Sequence, residues 1–513
     1  MTKLFSFRTR GLRRIVAAAA LTSFFGVFVA IGARGQAPAD YGGAGGAIGG
    51  GADEAKVLLV LPFDNRTGLP SLEWIREAAA EVLSTRFAAA GFEPTSRADR
   101  MYALDHLGLP QGFQPSRASS LKLAQMLDAD SIVVGSYTTD GSGIAAEARL
   151  VDVPGLRMTP TVTARGDMHD LIAVFGTLAW KLTKELDPEF NVAEETFAAT
   201  GKGVPLNAYE QYIRGITEPD QAERVKHLQE AVRMSPDFGP AWMALGREDY
   251  KEQQYPEAAA AFAKVDRNGS DGLEAGFYRG LSLLFSGDYP HAEQAFADVA
   301  RVLSLAEVMN NEGVAMSRQG HDATSLFIQA AAADPNGADY HFNLALSLRR
   351  TGNTAGALNE MAQCLKLRPN DSEAQSLEDA WKRPAGAAAS ADPLERIVRS
   401  FDAAAFRQAA AMMDTVNAGR LAALTPRNQA QALCVRAKSY LDRGLLLEAE
   451  RLYQDAAVAD STSAEAHAGL AEVRERSGDA ESARKEAQTA LQLNPANQTA
   501  HDVLREIAAK AGR

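Results

Sequence analysis

The stretch between Pro335 and Pro369 most constrains what this chain can fold into. Its first half places apolar residues at helical spacing, Thr351-Gly352-Asn353 interrupts the pattern, and a second apolar-periodic run leads to Pro369. This pattern predicts two antiparallel helices joined by a tight turn. Two helices of this size cannot bury their apolar faces alone, so the stretch requires copies of itself on either side.

Copies are present in both directions along the chain. The turn glycines Gly287, Gly320 and Gly352 follow one another at intervals of 33 and 32 residues, and Gly444 and Gly478 recur at 34 residues. In the copy from Pro240 to Asp266, the sequence is close to the pattern W-x2-L-G…A-x3-F at Trp242, Leu245, Gly246, Ala258 and Phe262. Small residues at the recurring positions predict that the helices of a pair approach closely.

This recurring pattern resembles the tetratricopeptide-repeat family. The resemblance implies an all-α tetratricopeptide superhelix, an α-solenoid. With the small α/β domain that the preceding residues predict, the chain is expected to be a multidomain protein. We place about five repeats over residues 205–381, a linker over 382–392, and about three repeats with a capping helix over 393–513. The first pair of the last block is degenerate, with helices expected over 394–401 and 406–416.

The N-terminal residues have the layout of an export signal. Five cations precede an uncharged apolar run over residues 15–32, and small residues before Ala37 suit cleavage there. The run is also long enough to remain as a membrane anchor, so residues 1–37 are a signal peptide or a signal anchor. Either alternative predicts a periplasmic location. Residues 38–54 form a Gly/Ala-rich tether.

Residues 55–190 predict a small α/β domain. A buried strand ends in Val60-Leu61-Pro62-Phe63-Asp64-Asn65, a second begins in the sequence DSIVVG from Asp130, and a hairpin carries EARLVDVPG. Helices are expected over 71–90, 119–128 and 169–186, with a further strand from Met158 to Ala164. The strand and hairpin sequences resemble the amino-terminal domain of the TolB family, a resemblance that implies a docking or adaptor module.

The charge and the distribution of reactive residues narrow the function. The formal net charge of -12 disfavours nucleic-acid partners. The eight histidines show no metal-ligand spacing, and no catalytic grouping or phosphate-binding loop is evident, so we predict no catalytic residues, cofactor or metal. One alternative stays open: a ligand-sensor or enzyme site at the loop Phe63–Gly68, which follows the carboxyl end of the first strand.

The expected binding surface is the groove lined by the first helix of each repeat. Asn311 and Asn343 occupy the same position in consecutive repeats, where some tetratricopeptide proteins use asparagine to hydrogen-bond the backbone of an extended peptide. The same wall is predicted to contain Met243, Arg247, Phe342, Leu346 and Arg349. The sequence therefore predicts a non-catalytic scaffold or adaptor of the bacterial cell envelope, with a protein partner bound as a peptide or helix.

Overall fold

The structure is a computed structural model that describes residues 56–110, 116–199, 203–267, 269, 271–383, 393–401, 419–442 and 444–511. The predicted signal, the tether, the linker residues 384–392 and the helix expected over 406–416 lie outside the described residues. The chain divides into two compact units. Of the described residues, one unit contains those from 283 to 401, and the other contains those from 56 to 282 together with those from 419 to 511.

A mixed sheet forms the α/β part of the larger unit. Its strands are β1 (Val57–Val60), β2 (Asp64–Asn65), β3 (Glu93–Pro94), β4 (Ser131–Thr139), β5 (Gly143–Asp152), β6 (Arg157–Met158) and β7 (Val162–Asp167). The order is β3-β1-β4-β5-β6, with β2 beside β4 and β7 beside β5. β1 runs parallel to both β3 and β4, whereas β4 and β5 form the predicted antiparallel hairpin. The core lies between this sheet and its helices.

Four helices accompany the sheet: α1 (Ile75–Ala89), α2 (Arg97–His106), α3 (Arg117–Met126) and α4 (Leu171–Leu186). The prediction missed α2, and the strand expected from Met158 to Ala164 is two strands. Pro160 lies between them, and a proline has no N–H for a continuous ladder.

The helical part of the larger unit contains α5 (Glu194–Ala199), α6 (Leu206–Thr217), α7 (Gln221–Met234), α8 (Gly239–Lys251) and α9 (Tyr255–Phe262). After α10 (Gly272–Ser286), which crosses into the smaller unit, it continues with α17 (Pro426–Asp442), α18 (Leu446–Ala459), α19 (Ala464–Ser477), α20 (Ala480–Leu493) and α21 (Gln498–Ala511). The predicted close approach within a pair is present, because a Cβ on Gly246 would lie 2.8 Å from the Phe262 ring.

The short helix α5 connects the sheet domain to the last repeats within this unit. The hydroxyl of Thr196 lies 3.3 Å from that of Ser477, and the backbone N–H of Ala193 donates to Glu450 Oε1 at 3.1 Å. Glu450 is fully buried, and this burial raises the pKa of its carboxyl. The carboxylate thus serves as a buried acceptor for the backbone before α5.

The smaller unit contains α11 (Tyr289–Val302), α12 (Ala306–Arg318), α13 (Thr324–Ala333), α14 (Ala338–Arg350), α15 (Thr354–Leu367) and α16 (Ser372–Lys382). The stretch between Pro335 and Pro369 forms the predicted helical hairpin. Gly352 makes its turn with a φ of +87°, a conformation that favours glycine. Within the described ranges, no helix is both long and apolar enough to span a bilayer.

The smaller unit ends with a segment that corrects the prediction. Residues 393–401, which we call the strap, form neither helix nor strand, although a helix was expected over 394–401. The strap crosses α12 and α14, and side chains of these two helices bond its backbone. A helical strap could not make these bonds, because its N–H and carbonyl groups would bond each other.

Candidate peptide-binding groove

Three asparagines, on the first helices of two neighbouring repeats, form the floor of the groove in the smaller unit. Asn310 and Asn311 lie on α12, Asn343 lies on α14, and all three side chains are fully buried. A buried amide requires hydrogen-bond partners because it has lost its contact with water. The strap supplies those partners.

Asn311 and Asn343 each bond one residue of the strap through both sides of the amide. Asn343 accepts from the N–H of Arg396 at 2.7 Å and donates to its carbonyl at 2.7 Å. Asn311 accepts from the N–H of Val398 at 3.0 Å and donates to its carbonyl at 2.7 Å. Only in an extended chain do the backbone groups of alternate residues point to the same edge. The two asparagines therefore hold an extended backbone without reading its side chains.

Asn310 connects the other two asparagines. It donates to the carbonyl of Arg396 at 3.1 Å and to Asn311 Oδ1 at 3.2 Å, and it accepts from Asn343 Nδ2 at 2.8 Å. The three amides and two strap residues make one continuous network, whose orientation is fixed at every member.

The carboxylate of Glu395 occupies a basic pocket beside the asparagines. Its side chain is 2% exposed and accepts hydrogen bonds from Arg318 Nε at 2.9 Å, from Ser317 Oγ and from Arg350 Nη1. The same two arginines also donate to strap carbonyls, Arg318 to Glu395 at 3.2 Å and Arg350 to Pro393 at 3.0 Å. This pocket selects an acidic side chain.

The environment of Glu395 stabilises its charged form. Burial by itself would raise the pKa of this carboxyl, but the hydrogen bonds from Ser317 and Arg350 outweigh burial and hold the pKa below its ordinary value of 4.5. The pocket is therefore complementary to a carboxylate and not to a neutral acid.

The next residue, Arg396, enters a pocket of opposite charge. Its guanidinium forms a bidentate pair with Asp371 at 2.6 and 2.9 Å, and bonds Glu373 at 2.8 Å and Asp339 at 3.2 Å. It also lies over the Phe342 ring, 3.6 Å from the centroid. Planar stacking together with a bidentate carboxylate suits arginine better than lysine.

The acidic pocket and Arg396 adjust each other's ionisation. The hydrogen bond from Arg396 is the main reason that the pKa of Asp371 lies below its usual value. Burial lowers the pKa of Arg396, but hydrogen bonds to Asp371 and Glu373 raise it by more, so the guanidinium stays charged. The ion pair is thus maintained throughout the neutral range.

The tetratricopeptide-repeat family matches residues 243–307, 317–372 and 434–498. The second of these ranges contains Asn343 and the two arginines that bond Glu395, Arg318 and Arg350. It ends at Ser372, one residue before Glu373. The helical region is a tetratricopeptide-repeat region. No curated protein matches the sequence.

Two solved structures illustrate the similarity of the chain to known folds. One is YrrB, described as a tetratricopeptide protein with an unusual peptide-binding site, at 16% identity and a TM-score of 0.30, covering 40% of this chain and 99% of YrrB. Another is MamA, at 14% identity and a TM-score of 0.29, covering 31% of this chain and 96% of MamA.

A further solved structure is the LpoB C-terminal domain from Salmonella enterica, at 23% identity and a TM-score of 0.20, covering 23% of this chain and 87% of that domain. Similarity at this level carries no argument about function. The resemblance of residues 55–190 to the TolB family stays a prediction.

The predicted site residues fall into three sets. Asn311, Asn343 and Phe342 contact the strap in the tetratricopeptide groove. Leu346 is 2% exposed and packs in the core of its repeat, while Arg349 is exposed and donates to Thr354 Oγ1 at 3.3 Å. These last two therefore support the fold around the strap, and the assignment of Asn311, Asn343 and Phe342 to a partner protein stays a prediction.

Met243 and Arg247 belong to the larger unit. Met243 is 2% exposed and packs against Phe262 and its neighbours, and Arg247 pairs with Glu274 at 2.7 Å. Packing and an ion pair along the helices account for both side chains.

Sequence reasoning missed most polar and charged residues that line the groove, as well as the segment that occupies it. These residues are Asn310, Ser317, Arg318, Asp339, Arg350, Asp371 and Glu373, together with the strap itself. One signal was available, because Arg318 and Arg350 recur one repeat apart just as Asn311 and Asn343 do. Recurrence of a cation beside recurring asparagines predicts an acidic group on the ligand.

The loop that follows β1, proposed as an alternative ligand site, is tied to its neighbours. Asn65 Oδ1 accepts from the N–H of Thr67 at 3.0 Å and from its hydroxyl at 2.6 Å, and Asn65 Nδ2 donates to Glu73 at 3.0 Å. Arg66 pairs with Glu147 at 2.7 Å. These polar side chains hold the turn between the strand and the helix, which favours the interpretation as a capped turn.

One group of described side chains has the spacing of metal ligands. Ligand atoms of Asp167, His169 and Asp170 lie within 4.8 Å of one another, and all three residues are exposed. Exposed acidic groups commonly lie this close without an ion, so the group carries no assignment.

Replacing Asn343 by Ala is expected to release the strap. The variant removes two hydrogen bonds to Arg396 and one to Asn310, each contributing about 0.5–1.5 kcal/mol, so hydrogen exchange in residues 394–401 should accelerate by about ten- to a thousandfold. Exchange measured by mass spectrometry checks this. Asn359→Ala, an exposed asparagine on α15, is the control and should leave exchange unchanged. Equal protection in both variants would contradict the clamp.

Acid is expected to loosen the strap before the repeats unfold. Free Glu395 titrates at its ordinary pKa of 4.5 and docked Glu395 titrates lower, so docking is fully favoured above pH 4.5 and is lost as the pH falls through the docked value. The pKa of Asp371, which faces Arg396, is also lowered, so docking of the strap weakens further when still lower pH protonates this carboxylate. The cations that face Glu395 are Arg318 and Arg350.

A fluorophore on a Ser400→Cys variant reports this release by anisotropy, since Ser400 is exposed. The native thiols of Cys364 and Cys434 are buried, and burial raises the pKa of each to about 11, so they label poorly. Glu395→Gln is the control and should lack the step that Glu395 causes below pH 4.5. An anisotropy change that coincides with loss of helical circular dichroism would count against the strap mechanism.

Proposed function

We propose that this protein is a non-catalytic scaffold or adaptor of the bacterial cell envelope, and that its tetratricopeptide groove binds a partner protein as an extended peptide. The tetratricopeptide fold suits protein interaction, and proteins of this kind are typically non-catalytic. The single observation that carries the peptide assignment is the pair of amides, Asn311 and Asn343, that bond alternate residues of an extended backbone.

The same geometry favours an extended peptide over a helix. In a helix the N–H and carbonyl groups are bonded to each other, so a helical ligand offers nothing to Asn311 and Asn343. An extended chain leaves both groups of every second residue free along one edge. Of the two ligand forms open at the sequence level, the floor of this groove is complementary to the extended one.

The envelope location rests on the sequence of residues 1–37 and is the second part of the proposal. Cations followed by an apolar run direct the remainder of the chain out of the cytoplasm. The run over residues 15–32 either is cleaved with the signal or stays as an anchor. The tether would then separate the folded domains from the membrane.

Export is tested by fusing alkaline phosphatase, which is active only outside the cytoplasm, to the C-terminus of the full chain. Phosphatase activity is expected with the complete chain and is expected to vanish when residues 1–37 are deleted. A fusion that is inactive although stably produced would contradict the periplasmic assignment. The apparent mass of the exported chain distinguishes cleavage from a retained anchor.

Partner binding is tested by affinity capture from the producing cells with the full chain as bait. Proteins retained by the unaltered chain are expected to be lost when Asn311→Ala and Asn343→Ala are combined, because both backbone clamps are then removed. Asn359→Ala serves as the matched control and should retain them. If the double variant retains the same proteins, the groove is not their binding site, and if no variant retains any protein, the scaffold proposal fails.

A further inference from the structure

The groove already holds a ligand, and that ligand belongs to the same chain. Residues 393–401 satisfy the three asparagines, fill the basic pocket with Glu395 and fill the acidic pocket with Arg396. A partner peptide that uses Asn311 and Asn343 has to displace these residues, because each amide bonds the strap with both its donor and its acceptor.

We infer that the groove selects extended peptides in which an acidic residue is followed directly by arginine and, two residues later, by an aliphatic residue, and that the strap is a built-in competitor for such peptides. This inference rests on the proposed peptide-binding function. It goes further because it names the side chains of the partner and the occupant that the partner displaces.

The order of the two charges is the first argument. Glu395 is in contact with two cations, Arg318 and Arg350, whereas Arg396 is surrounded by acids. If a ligand carried the two residues in reverse order, its arginine would face the two cations and its carboxylate would face the acids. Like charges placed together at these distances are strongly unfavourable where solvent is excluded. The groove therefore selects the order of the acidic residue and the arginine in a ligand, as well as their presence.

The stacking of Arg396 is the second argument. Phe342 is fully buried and its ring lies under the guanidinium, and Asp371 contacts the same guanidinium with both oxygens. Lysine has neither the planar group for the ring nor the fork for the bidentate contact. Arginine is thus specified at this position of the ligand.

A cavity beside the strap explains how a partner can compete. It measures about 270 Å³ and is bounded by Val398 of the strap and by Tyr340 and Leu367 of the repeats, with Asp339 and Arg368 among its polar groups. The strap contacts this space without filling it. A peptide with a larger aliphatic side chain at the position of Val398 gains contacts there that the strap does not make.

A free peptide competes for the groove at a disadvantage, because the strap is tethered to it. Along the chain, only residues 383–392 lie between α16 and the strap. A short connection gives a tethered ligand an effective concentration on the order of 1 mM. At equal intrinsic affinity, a free peptide at about 1 µM would occupy about one groove in a thousand. Weakening the strap should therefore raise the apparent affinity for a free peptide without any change in the groove.

The test uses the full chain and a fluorescein-labelled peptide with the sequence of residues 393–401, PLERIVRSF. Fluorescence anisotropy measures binding to the unaltered chain and to a variant with Glu395→Ala and Arg396→Ala, which frees the groove without altering it. We expect the variant to bind the peptide at least tenfold more tightly. A control peptide with the Glu and Arg exchanged has the same composition and should bind neither protein.

Two further variants keep the test decisive. Adding Asn343→Ala to the freed variant should abolish binding, whereas adding Asn359→Ala should not. If alanine at both positions reduces helical circular dichroism, Arg396→Lys replaces it, since lysine keeps the charge and loses only the stacked, bidentate contact; a smaller gain in affinity is then expected. Equal affinity of the unaltered and freed chains overturns the competition, and equal binding of the two peptides overturns the charge order.

Failure here is distinguishable from failure of the proposed function. If the freed chain does not bind the strap peptide but affinity capture still depends on Asn311 and Asn343, the selectivity inferred here is wrong and the scaffold proposal stands. If the peptide binds as expected but capture retains no partner, the groove chemistry stands and the scaffold proposal fails.

Discussion

Hydrogen bonding of three buried amides is the constraint on which the smaller unit depends. Asn310, Asn311 and Asn343 lie between neighbouring repeats with no exposure to water, and an unpartnered amide there would destabilise the fold. A segment without helix or strand satisfies them, and the flanking charges of Glu395 and Arg396 fix its position. The repeats provide the two faces of the groove, but the strap completes it.

Much of the fold follows from sequence because its determinants are local and repeated. The turn at Gly352 and the close packing of Gly246 against Phe262 each come from residues within one helix pair, and the pattern recurs often enough to be recognised. The α/β domain was predictable in outline for the same reason, since its buried strands are short apolar runs. The division of the strand at Pro160 could also be read locally, from the missing N–H.

The occupant of the groove could not be predicted in this way. Residues 394–401 have enough apolar and charged residues to suggest a degenerate helix, and nothing local favours an extended form over it. The outcome is decided by partners far away in sequence, on α12, α14 and α16, that bond alternate backbone groups and oppose each charge. Asn311 and Asn343 were found because they recur in register. Asp371 and Glu373 were not found, because only the fold brings them to Arg396.

The spacing of the clamps has a consequence for any chain that lies on them. One repeat along the groove corresponds to two residues along the strap, since Asn343 bonds residue 396 and Asn311 bonds residue 398. A single residue inserted between those positions would leave a backbone for Asn311 to bond, because the asparagines do not contact side chains, but it would move the valine one residue further along and to the opposite face of the extended chain. Evolution of this segment is therefore expected to conserve the two-residue spacing between the arginine and the aliphatic residue.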